Sequence, residues 1–141
     1  LDLCAKLGIA FVAFSPVGRG ALADLALDPS AFPKGDLRNN LPRFQGENWA
    51  TNHALYKQYG ALAADMGLTA AQLSLAWTNA KAAHIVSIPG TANIAHLEEN
   101  IAQWDYQISA EDMARVDALI NQSTIAGGRY NNDLQTTEEF A

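Results

Sequence analysis

The chain has 141 residues, of which 49% are hydrophobic and 17% charged, and fifteen Asp and Glu side chains against nine Lys and Arg give a formal net charge of −6. A chain this apolar is expected to bury a core, which excludes disorder for most of its length, and its acidic balance argues against a nucleic-acid partner. The single cysteine, Cys4, excludes an intrachain disulfide and a thiolate metal cluster. We therefore expect no metal site.

The chain opens with a predicted helix and a predicted strand. Apolar side chains at positions 1, 3, 4 and 7 form a helical stripe that ends at Gly8, and no N-cap signal precedes it. Residues 9–14 form an unbroken apolar run, which is typical of a strand buried on both faces in a parallel sheet. A helix that has a C-terminal capping signal but no N-terminal one indicates that the chain begins inside this helix.

A long ordered loop is predicted over residues 15–49, which hold four of the five prolines. Its expected apolar anchors are Leu37, Leu41, Phe44 and Trp49. Helical periodicity then resumes and ends at Gly67, with an apolar face made of Leu55, Tyr59, Leu62, Ala63 and Met66.

The second half alternates helices with one more strand. Thr69 and Gln72 form a capping box, residues 84–88 are a strand candidate, and Asn93 and Ser109 are predicted N-caps of two further helices. Strands alternating with amphipathic helices predict βα units and a parallel sheet. In a sheet of only two strands, the backbone N–H and C=O groups on the outer edges have no partners. We therefore expect this chain to be the C-terminal part of a larger α/β protein. Residues 122–141 show no periodicity and are predicted to form a tail.

No apolar stretch approaches the ~18–20 residues that cross a bilayer, and the N-terminus lacks a basic region with a cleavage site. We therefore expect a cytoplasmic protein with no membrane partner.

The loop after the first strand is a candidate anion site, because ligands of parallel α/β folds gather at the carboxyl ends of strands. Its sequence is Ser15-Pro16-Val17-Gly18-Arg19-Gly20, which offers a hydroxyl and glycines that let backbone N–H groups approach an anion. The alternative is a strand-exit turn that needs glycine for its geometry.

The loop after the second strand is a candidate nucleotide site. Gly90 and Thr91 lead into a helix whose N-terminus is predicted to favour negative charge, and His96, Glu99 and Asn100 lie one or two turns on. Glu99 and Asn100 have the groups to hydrogen-bond an adenine edge. Ordinary helix capping and a solvated acidic face are the alternative, but two such loops on consecutive strands favour a dinucleotide site.

Several segments, taken together, resemble the aldo-keto reductases of bacteria and plants. Ser15-Pro-Val-Gly-Arg-Gly-Ala-Leu22 resembles the loop after the family's seventh strand. The other matching segments follow in the family's order and spacing, at residues 36–38, 42–44, 47–48, 72–77, 88–91 and 97–101. The resemblance covers residues 1 to about 121.

The resemblance implies the C-terminal part of a (β/α)8 TIM barrel: the end of helix six, strands seven and eight, and helices seven and eight. It implies reduction of aldehydes and ketones by hydride transfer from NADPH, with a small carbonyl compound as substrate and the missing N-terminal half of the barrel as partner. The family's catalytic Asp, Tyr, Lys and His lie upstream, so we assign no catalytic residue here. A non-catalytic regulatory β-subunit that senses nucleotide on the same barrel, and a processed product without activity, are the alternatives.

Carried over position by position, the family's cofactor contacts fall on two groups of residues, with the loop 15–49 covering the cofactor. The pyrophosphate group is Ser15, Pro16, Val17 and Gly20. The adenosine group is Gly90, Thr91, His96, Glu99 and Asn100. Many family members have arginine at the place of His96, and an arginine fork holds a 2′-phosphate better than histidine does. The cofactor is thus expected to be NADP, with NAD possible.

Three further features carry open interpretations. Arg38 and Arg43 are expected either to approach the pyrophosphate or to form salt bridges with Asp36 and Glu47. Residues 127–130, Gly-Gly-Arg-Tyr, either shape the mouth of the substrate pocket or belong to a disordered tail. The tryptophans at 49, 77 and 104, and the tyrosines at 56 and 59, fit packing roles better than contacts with substrate.

Overall fold

The computed structural model describes residues 1–131, and the part of the predicted tail from residue 132 onward lies outside them. Four short 3₁₀ turns lie between the first strand and the second helix. The helices and strands in chain order are α1 Asp2–Leu7, β1 Phe11–Phe14, α2 Gly46–Asp65, α3 Ala70–Ala80, β2 Ile85–Ile88, α4 Ile94–Ala102 and α5 Ala110–Leu119. None of these helices is long and apolar enough to cross a membrane.

The predicted helix boundaries are confirmed where a cap was recognised. Gly8 closes α1 with a φ of 67°, in the left-handed region that suits glycine. The hydroxyl of Thr69 accepts from the Gln72 N–H and the Gln72 side chain accepts from the Thr69 N–H, which completes the capping box of α3. Asn93 and Ser109 cap α4 and α5 through their side-chain oxygens.

The two strands pair in parallel, as predicted, with Phe11 opposite Ile85 and Phe14 opposite Ile88. The prediction that the first strand is buried on both faces is wrong for this chain: Val12 is 55% exposed and Phe14 is 53% exposed. The physical reason is that β2 is the only strand beside β1 within residues 1–131, so the apolar side chains meet few neighbours.

The outer side of α4 is also apolar and exposed. Ile94 at its start is 75% exposed. Trp104, just beyond its end, is also 75% exposed, so it does not pack as expected within the described residues. An apolar helix stripe normally faces a core. The uncovered faces of β1 and α4 therefore fit a larger α/β body.

The core lies between α2, α3 and α5. Tyr59, Leu73 and Val116 are almost fully buried there, and a second cluster around Tyr56 joins the loop to α2. The packing role predicted for Tyr56 and Tyr59 is confirmed, and burial raises the pKa of both phenols, which keeps them neutral.

The long loop ends at Gln45, four residues earlier than predicted, because Gly46 to Trp49 already form the first turn of α2. Trp49 stacks between the rings of Phe44 and His53 at centroid distances of 5.7 and 5.0 Å. Leu41 and Phe44 are buried anchors as predicted. Leu37 is not an anchor, since it is 61% exposed.

Candidate functional site

A cavity of about 690 Å³ lies between the exits of β1 and β2. The structure brings together in its wall all nine residues that the sequence singled out: Ser15, Pro16, Val17, Gly20, Gly90, Thr91, His96, Glu99 and Asn100. The remaining lining residues are Arg19, Ala23, Asp24, Ala71, Ile88 and Pro89. Its volume is within the range of about 300–1,000 Å³ that is typical of small-molecule sites.

The exit of β1 forms one wall, and its backbone is strained. Ser15 and Arg19 adopt φ angles of 52° and 58°, in the left-handed region that non-glycine residues rarely enter. The hydroxyl of Ser74, buried in α3, donates a hydrogen bond of 2.6 Å to the Pro16 carbonyl. This bond fixes the strained turn against a core helix.

The turn uses two of its own N–H groups for closure. The Gly18 N–H donates to the Ser15 carbonyl at 3.0 Å, and the Gly20 N–H donates to the Val17 carbonyl at 3.1 Å. The N–H groups of Gly18 and Gly20 are therefore used inside the turn itself. Their contribution is the positive φ of 58° and 94° that lets the turn form.

The exit of β2 and the start of α4 form the opposite wall. The Thr91 hydroxyl accepts from the Asn93 N–H at 3.1 Å, so Thr91 helps to cap the helix as well as facing the cavity. A Cβ atom at Gly90 would meet nothing within 4 Å, which leaves room for a ligand beside this backbone. The Gln72 amide of α3 donates to the Glu99 carbonyl at 3.2 Å and ties this wall to the same core helix.

Arg19 is the lining cation that the list of predicted contacts missed. Its Nη2 donates to the Tyr130 hydroxyl at 3.0 Å, and Arg38 donates from Nη1 to the Arg19 carbonyl at 3.3 Å. The signal was present in the sequence, since Arg19 lies inside the Ser15–Gly20 motif. Only the fold shows that Arg19 lines the cavity.

The salt-bridge interpretation of Arg38 is confirmed. Its guanidinium donates to both carboxylate oxygens of Asp36, at 3.0 and 2.8 Å, and this partner lowers the pKa of Asp36 to about 2. Arg43 donates from Nε to the Gly127 carbonyl at 3.1 Å. Arg38 therefore stabilises the loop and contacts the cavity wall at the Arg19 carbonyl.

Residues 127–130 pack against the loop. The guanidinium of Arg129 lies 4.6 Å from the centroid of the Phe14 ring, at the end of β1. Asn52 of α2 binds the backbone of Ala126, the residue just before this segment. Its side chain accepts a hydrogen bond from the Ala126 N–H and donates one to the Ala126 carbonyl. The first part of the tail thus contributes to the strand-exit surface.

The model of the aldo/keto reductase family matches residues 1–121 of the chain. The chain belongs to the aldo/keto reductase family. Probable aldo-keto reductase 1 of Glycine max is 36% identical over 134 residues, covering 95% of this chain and 38% of that protein. An aldo-keto reductase of Schizosaccharomyces pombe, whose name specifies NADP(+), is 34% identical over 130 residues, covering 92% of this chain and 38% of that protein.

This aldo/keto reductase chain also resembles solved structures of the fold. A glycerol dehydrogenase from Gluconobacter oxydans superimposes with a TM-score of 0.76 at 22% identity, over 84% of this chain and 36% of that one. The likeness implies a (β/α)8 barrel, of which this chain is a partial α/β piece with two parallel strands. The chain spans 38% of the length of the curated relatives that it matches.

Proposed function

We propose that this chain supplies the cofactor-binding wall of an NAD(P)H-dependent reductase of aldehydes and ketones. Its two strands would be the seventh and eighth of the barrel, and the rest of the barrel would complete the active site. The observation that carries the proposal is the single cavity in which all nine predicted contacts meet. It lies at the carboxyl ends of adjacent parallel strands, where barrel enzymes bind their ligands.

The chemistry of the lining fits the two ends of a dinucleotide. At the exit of β1, the Arg19 guanidinium and the Ser15 hydroxyl suit a pyrophosphate. Along α4, the Glu99 carboxylate and the Asn100 amide suit the hydroxyl and amino groups of an adenosine. Thr91 and His96 are further polar lining residues, near a helix start that favours negative charge.

A nicotinamide dinucleotide held at the two strand exits would supply the hydride for the carbonyl carbon; with a proton taken up at the carbonyl oxygen, the carbonyl compound would become an alcohol. The residues of this chain bind and orient the dinucleotide. The strained turn at Ser15 and Arg19 is pre-organised by the Ser74 bond, so binding orders little additional backbone. The acid that protonates the oxygen is assigned to the part of the barrel outside this chain.

A matched pair of neighbouring carboxylates tests the proposal in the complete protein. Glu99 lines the cavity, whereas Glu98 is exposed and outside it. Loss of one charge-assisted hydrogen bond predicts that Glu99→Ala weakens NADPH binding about tenfold in a calorimetric titration, and that Glu98→Ala leaves it within about twofold. Equal behaviour of the two variants, or no NADPH binding by the parent protein, would contradict the proposal.

Turnover distinguishes the enzyme from the regulatory alternative. The complete protein is expected to oxidise NADPH when an aldehyde is added. This oxidation is measured as the loss of absorbance of the reduced nicotinamide. Tight NADPH binding without turnover of any aldehyde or ketone would favour the non-catalytic sensor.

A further inference from the structure

Arg19 lines the cavity between the strand exits, and its backbone is held in place. Its φ of 58° lies in the left-handed region, and the flanking Gly18 and Gly20 also have positive φ angles. Its carbonyl accepts from Nη1 of Arg38 at 3.3 Å, and Arg38 is itself paired with Asp36. The root of the Arg19 side chain is therefore fixed, while a long arginine side chain keeps several rotatable bonds beyond it.

Tyr130 holds the far end of that side chain. Nη2 of Arg19 donates to the Tyr130 hydroxyl at 3.0 Å, and the guanidinium carbon lies 4.9 Å from the centroid of the Tyr130 ring. Arg19 takes part in none of the salt bridges found within residues 1–131. Because the hydroxyl and the ring are uncharged, they orient the guanidinium without neutralising it. The bond takes one N–H donor and leaves others for an anion.

Tyr130 can orient Arg19 because its own segment is anchored. The Tyr130 ring packs against the buried cluster that joins the loop to α2. Nε of Arg43 donates to the Gly127 carbonyl at 3.1 Å, and the Asn131 amide donates to the Asn40 carbonyl. The segment on both sides of Tyr130 is thus tied to the loop that carries Arg43 and Asn40.

We propose that Tyr130 is a positioning residue for the cofactor: it orients the Arg19 guanidinium before a dinucleotide binds, so that the pyrophosphate meets a charge already in place. This inference rests on the proposed function, which assigns the pyrophosphate to the exit of β1. Tyr130 is not among the residues that line the cavity, so it acts through Arg19 rather than on the ligand. Without the Tyr130 hydroxyl, binding would also have to order the arginine side chain, which lowers the affinity.

Tyr130→Phe tests the proposal in the complete protein, because it removes the hydroxyl and keeps the ring. It is expected to raise the dissociation constant for NADPH about fivefold in a calorimetric titration, since one long side chain must then be ordered on binding. Tyr106→Phe is the matched control, because Tyr106 lies between α4 and α5 and does not line the cavity. It is expected to leave this constant within about twofold.

A double-mutant cycle shows whether Tyr130 acts through Arg19. Arg19→Gln alone is expected to weaken NADPH binding about tenfold or more, and Tyr130→Phe is expected to add less than about twofold in that background. A fivefold effect that persists without the arginine would overturn the proposal. Tighter NADPH binding by Tyr130→Phe would also overturn it, because the hydroxyl would then compete with the phosphates for Arg19.

Two smaller probes separate this inference from a structural role and from the proposed function. Adenosine lacks the pyrophosphate, so Tyr130→Phe should leave its affinity unchanged, and equal losses for adenosine and NADPH would overturn the inference. Binding of inorganic pyrophosphate that Tyr130→Phe weakens about fivefold supports the inference even if the protein fails to bind NADPH. An NADPH dissociation constant that Tyr130→Phe leaves unchanged overturns it even if NADPH binds as proposed.

Discussion

Asn52 joins three separate parts of the chain, and its truncation should destabilise the protein measurably. The side chain is fully buried and makes three hydrogen bonds: it donates to the carbonyls of Arg43 at 3.1 Å and Ala126 at 2.9 Å, and it accepts from the Ala126 N–H at 2.8 Å. Each buried neutral hydrogen bond contributes about 0.5–1.5 kcal/mol net. Asn52→Ala is therefore expected to lower the free energy of unfolding by about 2–4 kcal/mol.

Urea unfolding of the complete protein, followed by tryptophan fluorescence, measures this loss as a lower midpoint at unchanged slope. With a slope of about 2 kcal/mol per molar urea, the midpoint falls by about 1–2 M. Asn39→Ala is the matched control, because Asn39 makes one exposed bond, to the Pro33 carbonyl, and its loss should cost within about 0.5 kcal/mol. The reasoning would be refuted by equal midpoints for the two variants.

Two further predictions concern the cofactor and acid pH. His96→Ala is expected to weaken NADPH and NADH binding in different proportion if His96 reads the 2′-phosphate, and comparable losses in titrations with both cofactors would show that it does not. The pKa of Asp36 is lowered from 3.8 to about 2 by Arg38, so the ion pair stabilises the fold above pH 3.8 and its contribution disappears as the pH falls through about 2. The difference in urea midpoint between the parent and Asp36→Asn should therefore be constant from pH 7 to about 4 and vanish near pH 2, and a difference that persists at pH 2 would contradict this origin.

Local signals in the sequence predict much of the fold correctly. The caps at Gly8, Thr69, Asn93 and Ser109 act within one helical turn, so their effect does not depend on the rest of the protein. The apolar run before Phe14 likewise predicts a strand. The prediction that this strand is buried was wrong, because burial depends on the layers that pack against a strand, and the described residues supply few such neighbours.

The candidate site shows the same division between local and distant information. Sequence motifs located both walls of the cavity, because glycines and helix starts carry recognisable patterns. They did not reveal the contacts of Arg19 with Tyr130 or of Arg129 with Phe14, because these partners are far apart in the chain. The closure of the turn by the N–H groups of Gly18 and Gly20 also depends on backbone geometry that no residue pattern specifies.

Helix α3 bonds to both walls of the cavity between the strand exits, through Ser74 to the Pro16 carbonyl and through Gln72 to the Glu99 carbonyl. Three residues at its centre, Leu73, Leu75 and Ala76, are almost completely buried, so the helix acts as a rigid spacer between the two strand exits. A substitution that rotates α3 is therefore expected to displace both strand exits together. Under the proposed function, one substitution in α3 would change the affinity for both ends of the dinucleotide at once.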